Sequence, residues 1–129
     1  MTSENRPRKS RSDRILTRMR FRENEVIFQE GDRALAAYLL KSGAVEIITS
    51  NDGEPVVLTT IQPNQLFGEL ALIDGTPRSA TAYATMESEV VVVRPEDIER
   101  ELDEAGDFMR YWVEYLTERI RDLTKRVMD

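Results

Sequence analysis

A chain of 129 residues is long enough to bury a core of its own as one domain. It contains neither cysteine nor histidine, which excludes disulfides, thiolate metal sites and the imidazole that most metal centres and general bases use. The formal charge of −6 conceals a split: residues 1–22 carry eight Lys or Arg against two acids, leaving −12 on the remainder, a poor surface for nonspecific nucleic-acid binding.

Residues 1–11 read as a basic tail, polar and rich in turn formers, expected to be disordered ahead of a domain over 12–129. Such a tail can touch nucleic acid, acidic lipid headgroups or an acidic partner, or serve solubility alone. Ser12 is suited to cap a short helix from about 13 to 19, with Ile15, Leu16 and Met19 on one face. From Phe21 the period changes. Strands are expected over 25–29, 36–41, 44–50, 55–61, 65–67, 80–84 and 89–94, separated by Gly31-Asp32, Ser42-Gly43 and the hairpin signal Asn51-Asp52-Gly53. Short strands at regular spacing argue for a mainly β fold, an eight-stranded sandwich, jelly roll or barrel. Metal enzymes of the cupin type share that architecture, but their centres call for histidines that are missing here.

Pro95 suits the first position of a helix over 96–105, with Ile98 and Leu102 four residues apart; Gly106 interrupts it. Asp107 is placed to cap a second helix running nearly to the end. Along that helix Met109, Trp112, Leu116, Ile120, Leu123 and Val127 form one apolar seam, available to pack on the strands or to pair with a second chain as a homodimer. No run of about 18 apolar residues occurs and the N-terminus is too charged for a signal-peptide core, so a soluble, cytoplasmic protein without a transmembrane segment is expected.

The chemistry concentrates between Phe67 and Thr81. Gly68 follows an apolar strand and opens a short helical turn, so its missing side chain lets a ligand approach the backbone, and the unpaired N–H groups of the turn suit an anion. Glu69 supplies a fixed acceptor pair matched to sugar hydroxyls. Asp74-Gly75 makes a turn, and Pro77 fixes the backbone before Arg78, whose forked donors fit phosphate oxygens. Ser79 and the Ala80 N–H add further donors. These residues fit a small molecule carrying both a sugar and a phosphate. The plain alternative is a surface ion pair between Glu69 and Arg78.

The run F-G-E-L-A-L, a four-residue turn and P-R-S-A-T, with Glu69 and Arg78 nine positions apart, resembles the phosphate-binding cassette of the cyclic nucleotide-binding domain family. That family includes protein kinase A regulatory subunits and the bacterial catabolite activator protein. The spacing F-x-x-G-D, then S-G, then F-G-E, extends the likeness over 21–129. The resemblance implies a β-roll with a flanking N-terminal helix and C-terminal helices. It implies a ligand site of Gly68, Glu69, Leu70, Arg78, Ser79, Ala80 and Thr81. Gly68 and Glu69 would take the ribose 2′-hydroxyl, and Arg78, Ser79 and Ala80 the cyclic phosphate. It also implies a lid from the last helix, where Arg119, Leu123 or Thr124 would cover the base, with Trp112 as the alternative.

Ser79 stands where relatives with alanine tend to take cAMP and those with threonine tend to take cGMP, which leans the expectation to cAMP. No catalysis, metal or cofactor is expected, because nothing near the cassette would activate water. The sequence holds no helix-turn-helix, second nucleotide site or membrane pore, so the output partner is open. Two functions follow: a noncatalytic cAMP sensor whose C-terminal helix moves, or a ligand-free roll that dimerises or docks a partner.

Overall fold

The computed structural model of the chain describes residues 16–128, apart from the side chains of Thr124 and residues 126–128. Eight short strands are separated by turns that only a few residue types make easily. They are β1 (Thr17–Phe21), β2 (Val26–Phe28), β3 (Ala37–Ser42), β4 (Val45–Asn51), β5 (Glu54–Ile61), β6 (Leu66–Phe67), β7 (Thr81–Ala84) and β8 (Ser88–Val93). Three helices follow the sixth and eighth strands: α1 (Glu69–Asp74), α2 (Pro95–Ala105) and α3 (Asp107–Met128). The strands form two antiparallel four-stranded sheets, ordered β1-β8-β3-β6 and β2-β7-β4-β5. The expected mainly β roll with C-terminal helices is the fold observed.

The core lies between the sheets. Alternate residues point inward, so Val90 and Val92 of β8 and Ala82 and Ala84 of β7 are almost fully buried, with Leu40, Val45, Ile61 and Phe67 filling the layer. The two alanines take little room on β7, and the larger side chains of the opposite sheet fill the space they leave. Asp52 and Gly53 both adopt positive φ in the β4–β5 turn, as the Asn51-Asp52-Gly53 signal predicts.

The helix expected over 13–19 is not formed where the structure describes it. Thr17–Phe21 is strand β1, with Thr17 opposite Val92 and Met19 opposite Val90; the rest of that helix and the basic tail lie outside the described residues. The sheet wins because β8 would otherwise be an unpaired edge, and because T-R-M-R-F alternates: Arg18 and Arg20 share a face and meet Glu89 and Glu87 at 3.2 Å.

Helix α2 begins at Pro95 as expected. Asp97 tightens that start: one carboxylate oxygen accepts the Arg94 N–H at 2.9 Å, the other the Arg100 guanidinium at 2.7 Å. Asp107 is the first residue of α3 rather than its cap, since the Gly106 carbonyl already accepts the Arg110 N–H. The apolar seam of α3 does not pack on the strands. Met109, Trp112, Leu116 and Leu123 are each 39–52% exposed, and Phe108, Tyr111 and Tyr115 beside them are 51–72% exposed. The flank beside that stripe does the docking, with the seam residue Ile120 half-buried at its edge: Arg110 reaches Glu99 and Asp103 of α2, and Arg121 donates through Nε to the Ile73 carbonyl of α1 at 2.8 Å.

Candidate functional site

Arg78 is positioned first by its backbone. Its N–H donates to the Asp32 carbonyl and its carbonyl accepts the Gly31 N–H, both at 2.8 Å, so the turn after β2 and the end of the cassette hold each other. Pro77 is the step before. The side chain then turns inward and is only 4% exposed. Its Nη1 donates to the Gly68 carbonyl and its Nη2 to the Ala36 carbonyl, each at 2.5 Å. The guanidinium carbon sits 4.1 Å from the centre of the Phe28 ring, and Phe28, Tyr38 and Phe67 stack on one another at 5.3–6.2 Å. Arg78 Nε is buried and has no hydrogen-bond partner among the described residues.

Burial pushes the Arg78 pKa down, against the upward pull of Tyr38, Asp32 and Glu69. The group stays charged, because an arginine does not lose its proton in proteins. Glu69 and Arg78 form no ion pair, so the surface-pair alternative does not describe this site. A cation has been taken out of water and given two carbonyls and a ring face, with its Nε–H left unmet.

Gly68 makes that arrangement fit. Its φ is +76°, and a Cβ there would stand 2.8 Å from Arg78 Nη1 and 3.0 Å from the Phe28 ring. Gly75, also at positive φ, ends α1 with its N–H on the Ala71 carbonyl at 2.9 Å. The six-residue α1 is therefore closed by glycine at both ends.

A cavity of about 200 Å³ opens beside Arg78. One wall is the cassette: Gly68, Glu69, Leu70, Arg78, Ser79 and Ala80. The other is apolar, from Ile47, Ile61, Leu66 and Phe67, with Thr59 of β5 as its polar side chain. Six of the seven residues expected at the site border this cavity. Thr81 is the exception: its hydroxyl accepts the Glu30 N–H at 2.9 Å and thereby ties the β2–β3 turn to β7. The expected lid is not over the cavity either. Arg119 is exposed, Leu123 is half-exposed, and Trp112 packs beside Phe108 at 6.1 Å; none of the three borders it, and the Thr124 side chain lies outside the described residues. Arg121 of α3 does reach the cassette, on the side of α1 that faces α3. A larger groove of about 460 Å³ runs there between α1, α2 and α3, floored by Leu72, Ile73, Ile98, Leu102 and Val113.

The sequence model of the cyclic nucleotide-binding domain matches residues 18–105. The chain belongs to that family. The anaerobic regulatory protein of Bacillus subtilis (strain 168) is 29% identical over 118 residues, 89% of this chain and 49% of its own. A cAMP-dependent protein kinase regulatory subunit of Emericella nidulans is 36% identical over 95 residues, 74% of this chain and 23% of its own. The chain thus spans about half the length of the first relative and about a quarter of the second. Among solved structures, the half-site-occupied form of the EAL enzyme Bd1971 superimposes with a TM-score of 0.80 at 28% identity, covering 84% of this chain and 98% of that one. Its cAMP-bound and cGMP-bound forms superimpose at 0.64 and 0.62, with 27% and 28% identity, covering 87% and 81% of this chain and 30% and 28% of those.

In the geometry the cassette is the chemically organised part of the fold. The site residues missed by the sequence reading are Phe28, Tyr38, the Ala36 carbonyl and Arg121. Phe28 was within reach, since it opens the F-x-x-G-D spacing. The Ala36 carbonyl was not, because nothing in an alanine marks its backbone as a ligand for an arginine 42 residues away. Among the described residues no helix is long and apolar enough to cross a membrane.

Proposed function

We propose that the cavity binds cAMP, with cGMP as the weaker ligand, in a noncatalytic regulatory domain. The observation that carries this reading is the buried Arg78 cation, with an unmet Nε–H, beside a cavity whose same wall presents Glu69. An anion is the ligand class that repays burial of such a group. In this reading Arg78, Ser79 and the Ala80 N–H hold the cyclic phosphate, Gly68 and Glu69 hold the ribose 2′-hydroxyl, and Leu70 covers the sugar. The base lies on the apolar wall. The absence of a methyl on Ser79 favours cAMP by on the order of 1 kcal/mol or less. The existence of cAMP-bound and cGMP-bound forms of a structural neighbour supports the ligand class.

Coupling to output would run through α1. That helix carries Glu69 at its start and accepts Arg121 of α3 at Ile73, so a ligand that moves α1 biases the position of α3. Arg119, Leu123 or Thr124 would close over the base once α3 swings. The exposed face of Trp112, Leu116 and Tyr115 is where a second copy would pair to make a homodimer. A cytoplasmic site of action fits a chain without cysteine. Thermal unfolding with added nucleotide tests the reading: cAMP at 100 times its dissociation constant should add about 2.7 kcal/mol to stability. No stabilisation by cAMP or cGMP would overturn it and leave the α3 face as the working surface of a docking module.

A further inference from the structure

The guanidinium of Arg78 has five N–H groups, and two are spent on the Gly68 and Ala36 carbonyls. Nε–H remains without a partner. Together with an N–H of the adjacent Nη it forms one edge of the planar group, the kind of forked pair that an anionic oxygen pair fits. Which way that edge faces depends on rotation about the guanidinium plane. Two carbonyl contacts fix two points, and the guanidinium carbon lies over the Phe28 ring, 4.1 Å from its centre, with the Tyr38 ring farther off at 5.8 Å. Phe28 is itself held: it stacks on Tyr38 at 5.8 Å and Phe67 at 6.2 Å, and the bare Cα of Gly68 closes over its rim.

We infer that Phe28 is a positioning residue for the anion contact: its ring face presets the guanidinium plane of Arg78 before any ligand arrives. This rests on the reading of the cavity as a cyclic nucleotide site. Holding the plane in advance removes an ordering cost from binding, so loss of the ring lowers affinity through Arg78 and not through the cavity wall. Phe28 also lines the cavity, and the simpler role, in which it serves only as part of that wall, makes a different prediction. A space-filling loss is the same whether Arg78 is present or not, whereas a positioning loss vanishes with Arg78.

The test is a double-mutant cycle read by titration calorimetry with cAMP, using Phe28→Leu, Phe28→Tyr, Arg78→Ala and the double variant Phe28→Leu/Arg78→Ala. Phe28→Leu should weaken binding about tenfold with Arg78 present and less than about twofold without it, while Phe28→Tyr, which keeps the ring face, stays within about twofold of the unmodified chain. Equal losses in both backgrounds, no loss, or tighter binding by Phe28→Leu would overturn the inference. A second readout needs no nucleotide. In the ligand-free protein the Arg78 Nε–H resonance should lie upfield from the ring current, return to the ordinary arginine position in Phe28→Leu and stay upfield in Phe28→Tyr. An ordinary position in the unmodified chain would show that the ring does not set the plane. If the unmodified chain binds neither cAMP nor cGMP, the reading of the cavity falls, and this resonance still decides whether Phe28 orients Arg78.

Discussion

Two glycines of the cassette share a backbone conformation but not an environment, which lets the packing around Arg78 be weighed by difference. Gly68 and Gly75 have φ of +76° and +69°. Placing alanine in such a left-handed conformation costs about 1–2 kcal/mol at either site. At Gly75 nothing lies within 4 Å of the new Cβ, so Gly75→Ala should cost that alone. At Gly68 the Cβ meets Arg78 Nη1 at 2.8 Å and the Phe28 ring at 3.0 Å. Neither can retreat easily: Arg78 is tied to two carbonyls and Phe28 to two rings. Overpacking of this kind adds about 1–3 kcal/mol, for a total of about 2–5 kcal/mol in Gly68→Ala. For a domain of this size each kcal/mol moves the melting midpoint by about 4 °C, so the two variants should separate by several degrees. Urea unfolding monitored at Trp112 gives the difference directly. Equal stability of the two variants would mean that Gly68 does not lie against Arg78 and Phe28 as described.

Asp97 carries a pH signature at the start of α2. Burial pushes its carboxyl up, but the bonds from the Arg94 N–H and Arg100 outweigh this and leave its pKa lowered. The stability it contributes is therefore present above the ordinary carboxylate value of about 3.9 and is lost as pH falls through the lower folded value. Asp97→Ala should cost about 1–2 kcal/mol at pH 7 and progressively less in acid, which unfolding curves across pH will show; a cost independent of pH would refute the assignment. On α3, Leu116→Glu places a charge in the middle of the exposed apolar face. If that face pairs two copies as proposed, light scattering should find the unmodified chain dimeric and the variant monomeric with its helix content unchanged; the same mass for both would refute the pairing.

The cassette was legible because its chemistry lies in residue types at fixed spacing. A glycine, an acid, a proline and an arginine within eleven positions constrain the backbone wherever they occur, and six of the seven expected residues meet at one cavity. Thr81 does not join them, because alternation along β7 turns it toward Glu30. Strand β1 was misread for a related reason. Ile15, Leu16 and Met19 match a helical spacing over a window too short to exclude a strand, while the alternation of Arg18 and Arg20 was equally plain and its partners lay about 70 residues away. Met109, Trp112, Leu116 and Leu123 of the expected α3 seam are exposed together, Ile120 is half-buried and the Val127 side chain lies outside the described residues; periodicity gives the width of a stripe and not its direction. Arg110 and Arg121 set that direction by reaching α2 and α1 from the flank beside it. The inward posture of Arg78 depends on Phe28 and Ala36, far off in sequence, and only the folded chain reveals it.

On the proposed reading, the buried Arg78 beside this cavity meets an anionic ligand. Calorimetric titration of cAMP into the unmodified chain and into Arg78→Ala tests it most directly. Binding at one nucleotide per chain is predicted, weakened in Arg78→Ala by about 2–4 kcal/mol because a charge-assisted contact is lost and the phosphate is left poorly paired. Absence of binding to the unmodified chain, or the same dissociation constant in both, would contradict the account.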